Sequence, residues 1–187
     1  MLTANQHNFI NRMYDVNMRA SYMNMPIPDI AVTRMLQIGK PETPEQLAEY
    51  FDLRWRILRA PWDKLRGSEK DEFDAVADHV TARGPDGRLL GVGRLHMNSR
   101  EEAQIRYMAV EEDSRGLGVG RAILKKLEAL ARARGAKRIV LNARDNVVGF
   151  YLSCGYSVVG PGPTLFDKVR HSRMEKLLPD RDAEASS

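Results

Sequence analysis

The spacing of apolar positions changes period along the chain. After Thr43 they recur three and four apart at Leu47, Phe51, Trp55 and Leu58, which predicts one helical face. Thr43 suits the cap of that helix, Pro44 its first position and Pro61 its end. Ser68 predicts a second capped helix with Phe73, Val76 and Ala77 turned inward. Period two then takes over. Residues 79–83 and 88–97 read as strands around Gly84-Pro85-Asp86-Gly87, whose Asp-Gly pair signals a hairpin. Residues 104–110 form the next strand, alternating Ile105, Tyr107 and Ala109 to one face. Helical spacing returns at Val119, Ile123, Leu127 and Leu130, with Lys125, Lys126 and Arg132 facing water and Gly135 as the stop. A strand over 138–143, a short helix over 147–153 ended by Gly155, and strands near 156–159 and 169–177 complete the pattern. Upstream, residues 34–38 read as a short strand closed by Gly39 and Pro41.

Strands and helices in this order predict an α/β protein of the α+β kind, in one domain from about residue 32 to 178 with a polar tail over 179–187. Residues 1–31 differ: five Met and five Asn accompany only four charges, Arg12, Asp15, Arg19 and Asp29. Thr3 with Gln6 resembles a capping box, and Phe9, Met13, Val16 and Ala20 keep helical spacing. That extension reads either as a helix packing on this molecule or a neighbour, or as a disordered leader.

Composition narrows the function. With 187 residues, 43% hydrophobic and 29% charged, the chain has a globular make-up, and no apolar run approaches the roughly 18 residues of a membrane span. A single cysteine, Cys154, excludes an internal disulfide and favours a reducing cytoplasm. The four histidines, His7, His79, His96 and His171, show no metal-ligand spacing, so no metal is expected. The net charge of +4 is uneven: residues 115–138 hold eight bases and one acid, whereas residues 42–78 hold ten acids and six bases. Charge so localised argues against a nucleic-acid coat; it suits a small polyanion at one place and a cationic group at another.

The basic segment begins with three glycines at alternate positions, Gly116, Gly118 and Gly120, between a strand and a helix. Glycine lets backbone approach a ligand closely, and the unpaired N–H groups of a helix start attract anions. Arg115 and Arg121 bracket the loop and suit a phosphate. A phosphate-binding P-loop would end in Gly-Lys-Ser/Thr, and a dinucleotide fingerprint would need a different glycine spacing after the first strand of a βαβ unit. Neither fits.

Arg115-Gly116-Leu117-Gly118-Val119-Gly120 resembles the Q/R-x-x-G-x-G/A signature of the GNAT N-acetyltransferases. The preceding Ile105-Arg106-Tyr107-Met108-Ala109-Val110 resembles that family's fourth strand, and Phe150-Tyr151-Leu152-Ser153-Cys154-Gly155-Tyr156 its F-Y-x-x-x-G-F/Y element. The segment from Pro61-Trp62 to Glu72 is similar to small bacterial members and to the acetyltransferase half of hotdog-fused proteins, whose second domain would not fit in this length.

The resemblance implies the GNAT fold, a mixed, mostly antiparallel sheet of six to seven strands flanked by about four helices. It implies acetyl-CoA as co-substrate, gripped at its diphosphate by Arg115, Gly116, Leu117, Gly118, Val119, Gly120 and Arg121. Backbone groups of Met108, Ala109 and Val110, with Asn142 opposite, would hold the pantetheine arm. Tyr151 would be the general acid that protonates the departing thiolate. The implied acceptor is a small-molecule or protein amine, and homodimers are common in the family. A glutamate base found in some relatives corresponds to Gln104 here, which cannot accept a proton; Glu69, Asp71, Glu72, His79, His96 and His171 remain candidates. That gap leaves open a non-catalytic acyl-CoA-binding module, and the similarity to hotdog-fused proteins leaves open a malonyl-CoA decarboxylase type of enzyme.

Overall fold

The computed structural model describes residues 35–179; the readings on 1–31, on Arg34 and on the tail beyond 179 fall outside them. Three α-helices and seven strands occur among the described residues: β1 (Gln37–Gly39), α1 (Pro44–Leu58), β2 (Asp78–Arg83), β3 (Leu89–Met97), β4 (Glu102–Val110), α2 (Val119–Ala133), β5 (Arg138–Arg144), α3 (Val148–Leu152), β6 (Ser157–Pro161) and β7 (His171–Leu177). The strands form one sheet in the order β1-β2-β3-β4-β5-β7-β6. β1/β2, β5/β7 and β6/β7 pair antiparallel, while β4/β5 pair parallel. No helix among the described residues is long and apolar enough to cross a membrane.

By their contacts the described residues form two compact units. The first comprises residues 35–70, 79–93 and 107–124; the second comprises 71–78, 94–106 and 125–179.

In the first unit, Thr43 caps α1 by accepting a hydrogen bond from the Gln46 N–H at 3.3 Å, with Pro44 opening the helix as its sequence predicts. The buried face of α1 differs from the expected one. Tyr50, Leu53 and Arg54 are buried, while Phe51, Trp55 and Leu58 are half-buried and Leu47 is exposed. Tyr50 and Leu53 pack with Val92 and Ala109, and the Tyr50 hydroxyl donates to the Gly93 carbonyl at 3.0 Å. The core face thus includes residues with polar ends, which a count of aliphatic positions overlooks. Gly91 of β3 has a steric reason: a Cβ there would lie 2.9 Å from Ile123 and 3.0 Å from the Ala109 carbonyl.

The helix expected after Ser68 does not form. The Ser68 hydroxyl instead donates to the Leu65 carbonyl at 2.6 Å, closing a turn. In the second unit, Asp71 caps a single 3-10 turn, Glu72–Ala75, and the Asp74 carboxylate returns a bond to the Asp71 N–H at 2.8 Å. Val76, expected inward, is exposed. Two carboxylates that bond the backbone locally favour a turn over helix propagation.

Also in the second unit, β5 and β7 pair over seven positions, from Arg138↔Leu177 to Arg144↔His171. Ile139, Leu141, Ala143 and Met174 are buried, with Leu127 and Ala131 of α2. Leu130, expected on the buried stripe of α2, is half-buried; Leu124 and Ala131 take the buried positions instead, because a helical stripe drifts by its 3.6-residue period. Gly135 ends the helix with φ +82°.

Candidate active site

The loop before α2 is built to present backbone. A 3-10 turn, Glu112–Ser114, precedes it, and Arg88 clamps Asp113 with bonds of 2.8 and 3.2 Å. These contacts hold the Asp113 carboxyl below its ordinary range: burial pushes it up, but the bonds from Arg88 and the Ser114 hydroxyl outweigh that. Gly116 and Gly118 then take φ of +77° and +79°, where a side chain would be strained. Between them Leu117 is buried and anchors the loop. α2 starts at Val119 with no acidic residue in its first turn, and its leading N–H groups have no partner within the helix. Arg115 and Arg121 are exposed on either side.

One strand earlier, Tyr107 interrupts β4 with φ +56°. A left-handed aromatic residue inside a strand costs about 1–3 kcal/mol, and Met108, Ala109 and Val110 follow it to the end of β4. The fully buried guanidinium of Arg54 lies 3.7 Å from the Tyr107 ring centroid, and Arg59 lies 5.3 Å from it.

The second unit holds the remaining sequence-predicted residues. Tyr151, on α3, is buried, and its phenol is pushed well above its ordinary pKa, first by burial and then by nearby Cys154. At neutral pH its hydroxyl keeps its proton. Its ring packs edge-on against Phe150 and Tyr156, at 5.0 and 5.7 Å. Behind it, the Lys176 ammonium donates to both oxygens of the buried Glu128 carboxylate, at 2.9 and 3.0 Å, and to the Cys154 carbonyl at 2.9 Å. This fastens the end of α3, where Gly155 turns with φ +84°. Cys154 is a free, half-buried thiol.

β4 and β5 pair at only three positions, Glu102↔Arg138, Ala103↔Ile139 and Gln104↔Val140. Where that ladder ends, a recess opens that is lined by Asn98, Gln104, Val140, Leu141, Asn142 and Arg173. Asn142 stands opposite Arg173 in the β5/β7 ladder, so both side chains share a face.

The candidate bases are mostly committed. Glu69 is buried and accepts the Gly67 N–H at 2.7 Å. Asp71 and Asp74 hold the fully buried Arg94, and Arg106 approaches Asp71 at 3.4 Å. Glu72 is exposed; His79 packs edge-on against Tyr50 and Phe51, and His171 Nδ1 lies 2.9 Å from the Val169 carbonyl. His96 is buried, stacks on Phe73 at 4.4 Å, and is kept below its ordinary pKa by burial and then by the charges of Arg94 and Arg106. Half of the ten acids between Glu42 and Asp78 are ion-paired. Glu49 pairs with Arg83, Asp52 with Arg56 and Arg66, and Asp78 with Arg134. Among the described residues no group of three or more His, Cys, Asp or Glu gathers to hold a metal.

The acetyltransferase (GNAT) family model matches residues 47–156, more than half of the chain. The chain belongs to the GNAT acetyltransferase family. An uncharacterized N-acetyltransferase of Bacillus subtilis, YjcF, is 29% identical over 132 residues, covering 71% of this chain and 93% of that protein. A putative N-acetyltransferase from Lactobacillus plantarum superposes with a TM-score of 0.66 at 23% identity, over 77% of this chain and 99% of that one. An aminoglycoside 6'-N-acetyltransferase solved with coenzyme A gives 0.65 at 17% identity, over 78% and 99%. The two structures share the GNAT fold, and the seven-stranded, mostly antiparallel sheet agrees with it.

Within this GNAT chain, residues 115–121 and Met108, Ala109 and Val110 fall in the first unit, and Asn142 and Tyr151 in the second. Sequence reading missed the Arg54–Tyr107 contact, because an arginine beside apolar positions reads as a solvated charge. It also missed the Lys176–Glu128 pair, separated by 48 residues.

Proposed function

We propose that the protein transfers an acetyl group from acetyl-CoA to a primary amine by direct attack in a ternary complex. The observation that carries this reading is the acid-free glycine turn at the start of α2, with Gly116 and Gly118 left-handed and Arg115 and Arg121 exposed beside it. Such a turn fits a diphosphate through backbone N–H groups, the helix dipole and two guanidinium groups. Membership of an acetyltransferase family supports it, as does a fold neighbour solved with coenzyme A.

When bound, acetyl-CoA supplies the thioester-activated acetyl group. The protein's part is binding, orientation and proton delivery. Residues 115–121 hold the diphosphate. Peptide groups of Met108, Ala109 and Val110 hold the pantetheine arm together with Asn142. A backbone N–H directed at the thioester oxygen lowers the reaction barrier by roughly 3 kcal/mol. The attacking nitrogen releases its proton to solvent as the C–S bond breaks, and Tyr151, kept protonated by burial, donates to the leaving sulfur and is reprotonated from solvent. Direct transfer needs no cysteine nucleophile, and the lone thiol of Cys154 is in keeping with a reducing cytoplasm.

Two measurements test the reading. Acetyl-CoA should raise the melting temperature in a concentration-dependent way; no shift at millimolar ligand removes the proposal. Tyr151→Phe should keep that shift while turnover falls by about 10²–10⁴-fold. Unchanged turnover removes Tyr151 from the acid role.

A further inference from the structure

We propose that the recess at the end of the β4/β5 ladder seats an anionic group of the acceptor, so that the acceptor amine also bears a carboxylate or a phosphate. The inference rests on the acetyl-transfer reading above and specifies its substrate class.

Six residues line the recess, and Arg173 is the one that carries a charge. Gln104 and Asn142 add amide donors. None of these three side chains makes a hydrogen bond or ion pair with another described residue. Their neighbours behave differently. Arg138 is bound to Glu102 at 2.7 Å, Arg170 to Asp145 at 3.1 Å and Lys176 to Glu128 at 2.9 Å. Of these, Arg138 shares the sheet face of Asn142 and Arg173, and on that face an arginine beside two unengaged amides has the makings of a ligand site.

The chemistry of that ligand follows from the lining. Val140, on the same face as Asn142, is buried and supplies the apolar side of an otherwise polar recess. A guanidinium offers a two-pronged fit to a carboxylate or a phosphate. An ammonium placed there would instead meet a like charge.

Two carboxylates lie near. Glu102, which Arg173 influences electrostatically, is already held by the Asn98 amide at 2.8 Å and by Arg138. Glu175, two residues along β7, does not line the recess and makes no ion pair with Arg173. In the acidic stretch of the sequence, which suggested a cationic acceptor, Glu49, Asp52, Asp71, Asp74 and Asp78 are already held in ion pairs. The acceptor that fits has its anion at Arg173, with Gln104 donating beside it, and its amine at the opposite end. Asn142, assigned above to the pantetheine arm, forms the wall between the two.

The test uses matched probes that differ in one negative charge: phosphoethanolamine against ethanolamine, and β-alanine against β-alaninamide. Calorimetric binding to the full chain, with and without coenzyme A, should favour the anionic member of at least one pair by about 10- to 100-fold, the pair identifying phosphate or carboxylate. Arg173→Ala should erase that preference without changing the coenzyme A affinity, and Arg173→Lys should keep part of it. Because Arg173 is exposed, these variants should fold. Equal binding of both members of both pairs overturns the inference even if coenzyme A binds normally, and so does a preference that survives Arg173→Ala. If coenzyme A fails to bind while the Arg173-dependent preference persists, the acetyl-transfer reading falls and the anion seat stands.

Discussion

Among the described residues each unit buries one arginine completely, and the two are accommodated by opposite means. In the first unit, Arg54 lies against three aromatic faces, with its guanidinium carbon 5.5, 5.1 and 3.7 Å from the ring centroids of Tyr50, Phe51 and Tyr107, and it donates to the Glu69 carbonyl. In the second, Arg94 is gripped by the carboxylates of Asp71 and Asp74, with bonds of 3.1 and 2.9 Å among them. Burial pushes the Arg94 pKa down, but the two carboxylates more than reverse this and the group stays charged. A ring face attracts a cation with little desolvation of its own, whereas a carboxylate must also leave water. The first arrangement therefore tolerates change; the second depends on every charge being present. The partners also differ in consequence. Arg54 braces a strained strand residue, Tyr107, whereas Arg94 fixes the segment from Asp71 to Asp78 that replaced the expected helix.

The largest effect is expected from Arg94→Met. It leaves Asp71 and Asp74 partly buried without their main counter-charge, at a cost of about 3–5 kcal/mol. For a chain of this size that is a fall of roughly 10 °C in melting temperature. Adding Asp71→Asn and Asp74→Asn should recover most of it, since the penalty belongs to unpaired charge and not to lost volume. A triple variant as unstable as the single one would break the contrast.

Arg54→Met should cost less, about 2–3 kcal/mol, from lost ring contacts and the lost bond to the Glu69 carbonyl. Its more telling readout is catalytic. If Arg54 holds Tyr107 in its left-handed conformation, the KM for acetyl-CoA rises several-fold as β4 relaxes, while the acceptor KM stays put. A lower melting temperature with unchanged kinetics would reduce Arg54 to a packing residue.

What could be read in the sequence divides along the same line. The glycine loop and α2 were legible because their chemistry is local: Gly116, Gly118 and the first turn lie within six residues, and their conformations follow from having no side chain. Thr43, Pro44 and Gly135 marked helix ends for the same reason. The Ser68 helix was misread because a serine before an acidic run resembles a cap, while the decisive bond, Arg94 to Asp71, spans 23 residues. Arg54, Arg173 and the Lys176–Glu128 pair were hidden likewise. A buried or unpartnered charge looks in sequence like any solvated one, and only the partners, brought in by the fold, distinguish it.

The smallest expected effect concerns His96, which shares the second unit with Arg94. Burial comes first among the causes that keep its imidazole below the ordinary pKa, followed by the charges of Arg94 and Arg106; Asp71 and Asn98 pull the other way. The folded state therefore binds a proton less readily than the unfolded chain. Stability from this source is complete above the unfolded value of about 6.5 and is lost as the pH falls through it toward the lower folded pKa. Carboxylates such as Asp52 and Glu102, also held low, lose stability over a more acidic range. Unfolding free energy followed from pH 7.5 to 5.5 should decline in the wild type, and His96→Asn should flatten the part of that decline nearest neutrality. Arg94→Met should flatten it as well, because removing the adjacent cation lets His96 take up its proton more easily in the fold. If the wild type and both variants showed parallel curves, the Arg94 cluster would be a clamp alone, with no hold on the imidazole that stacks beside it.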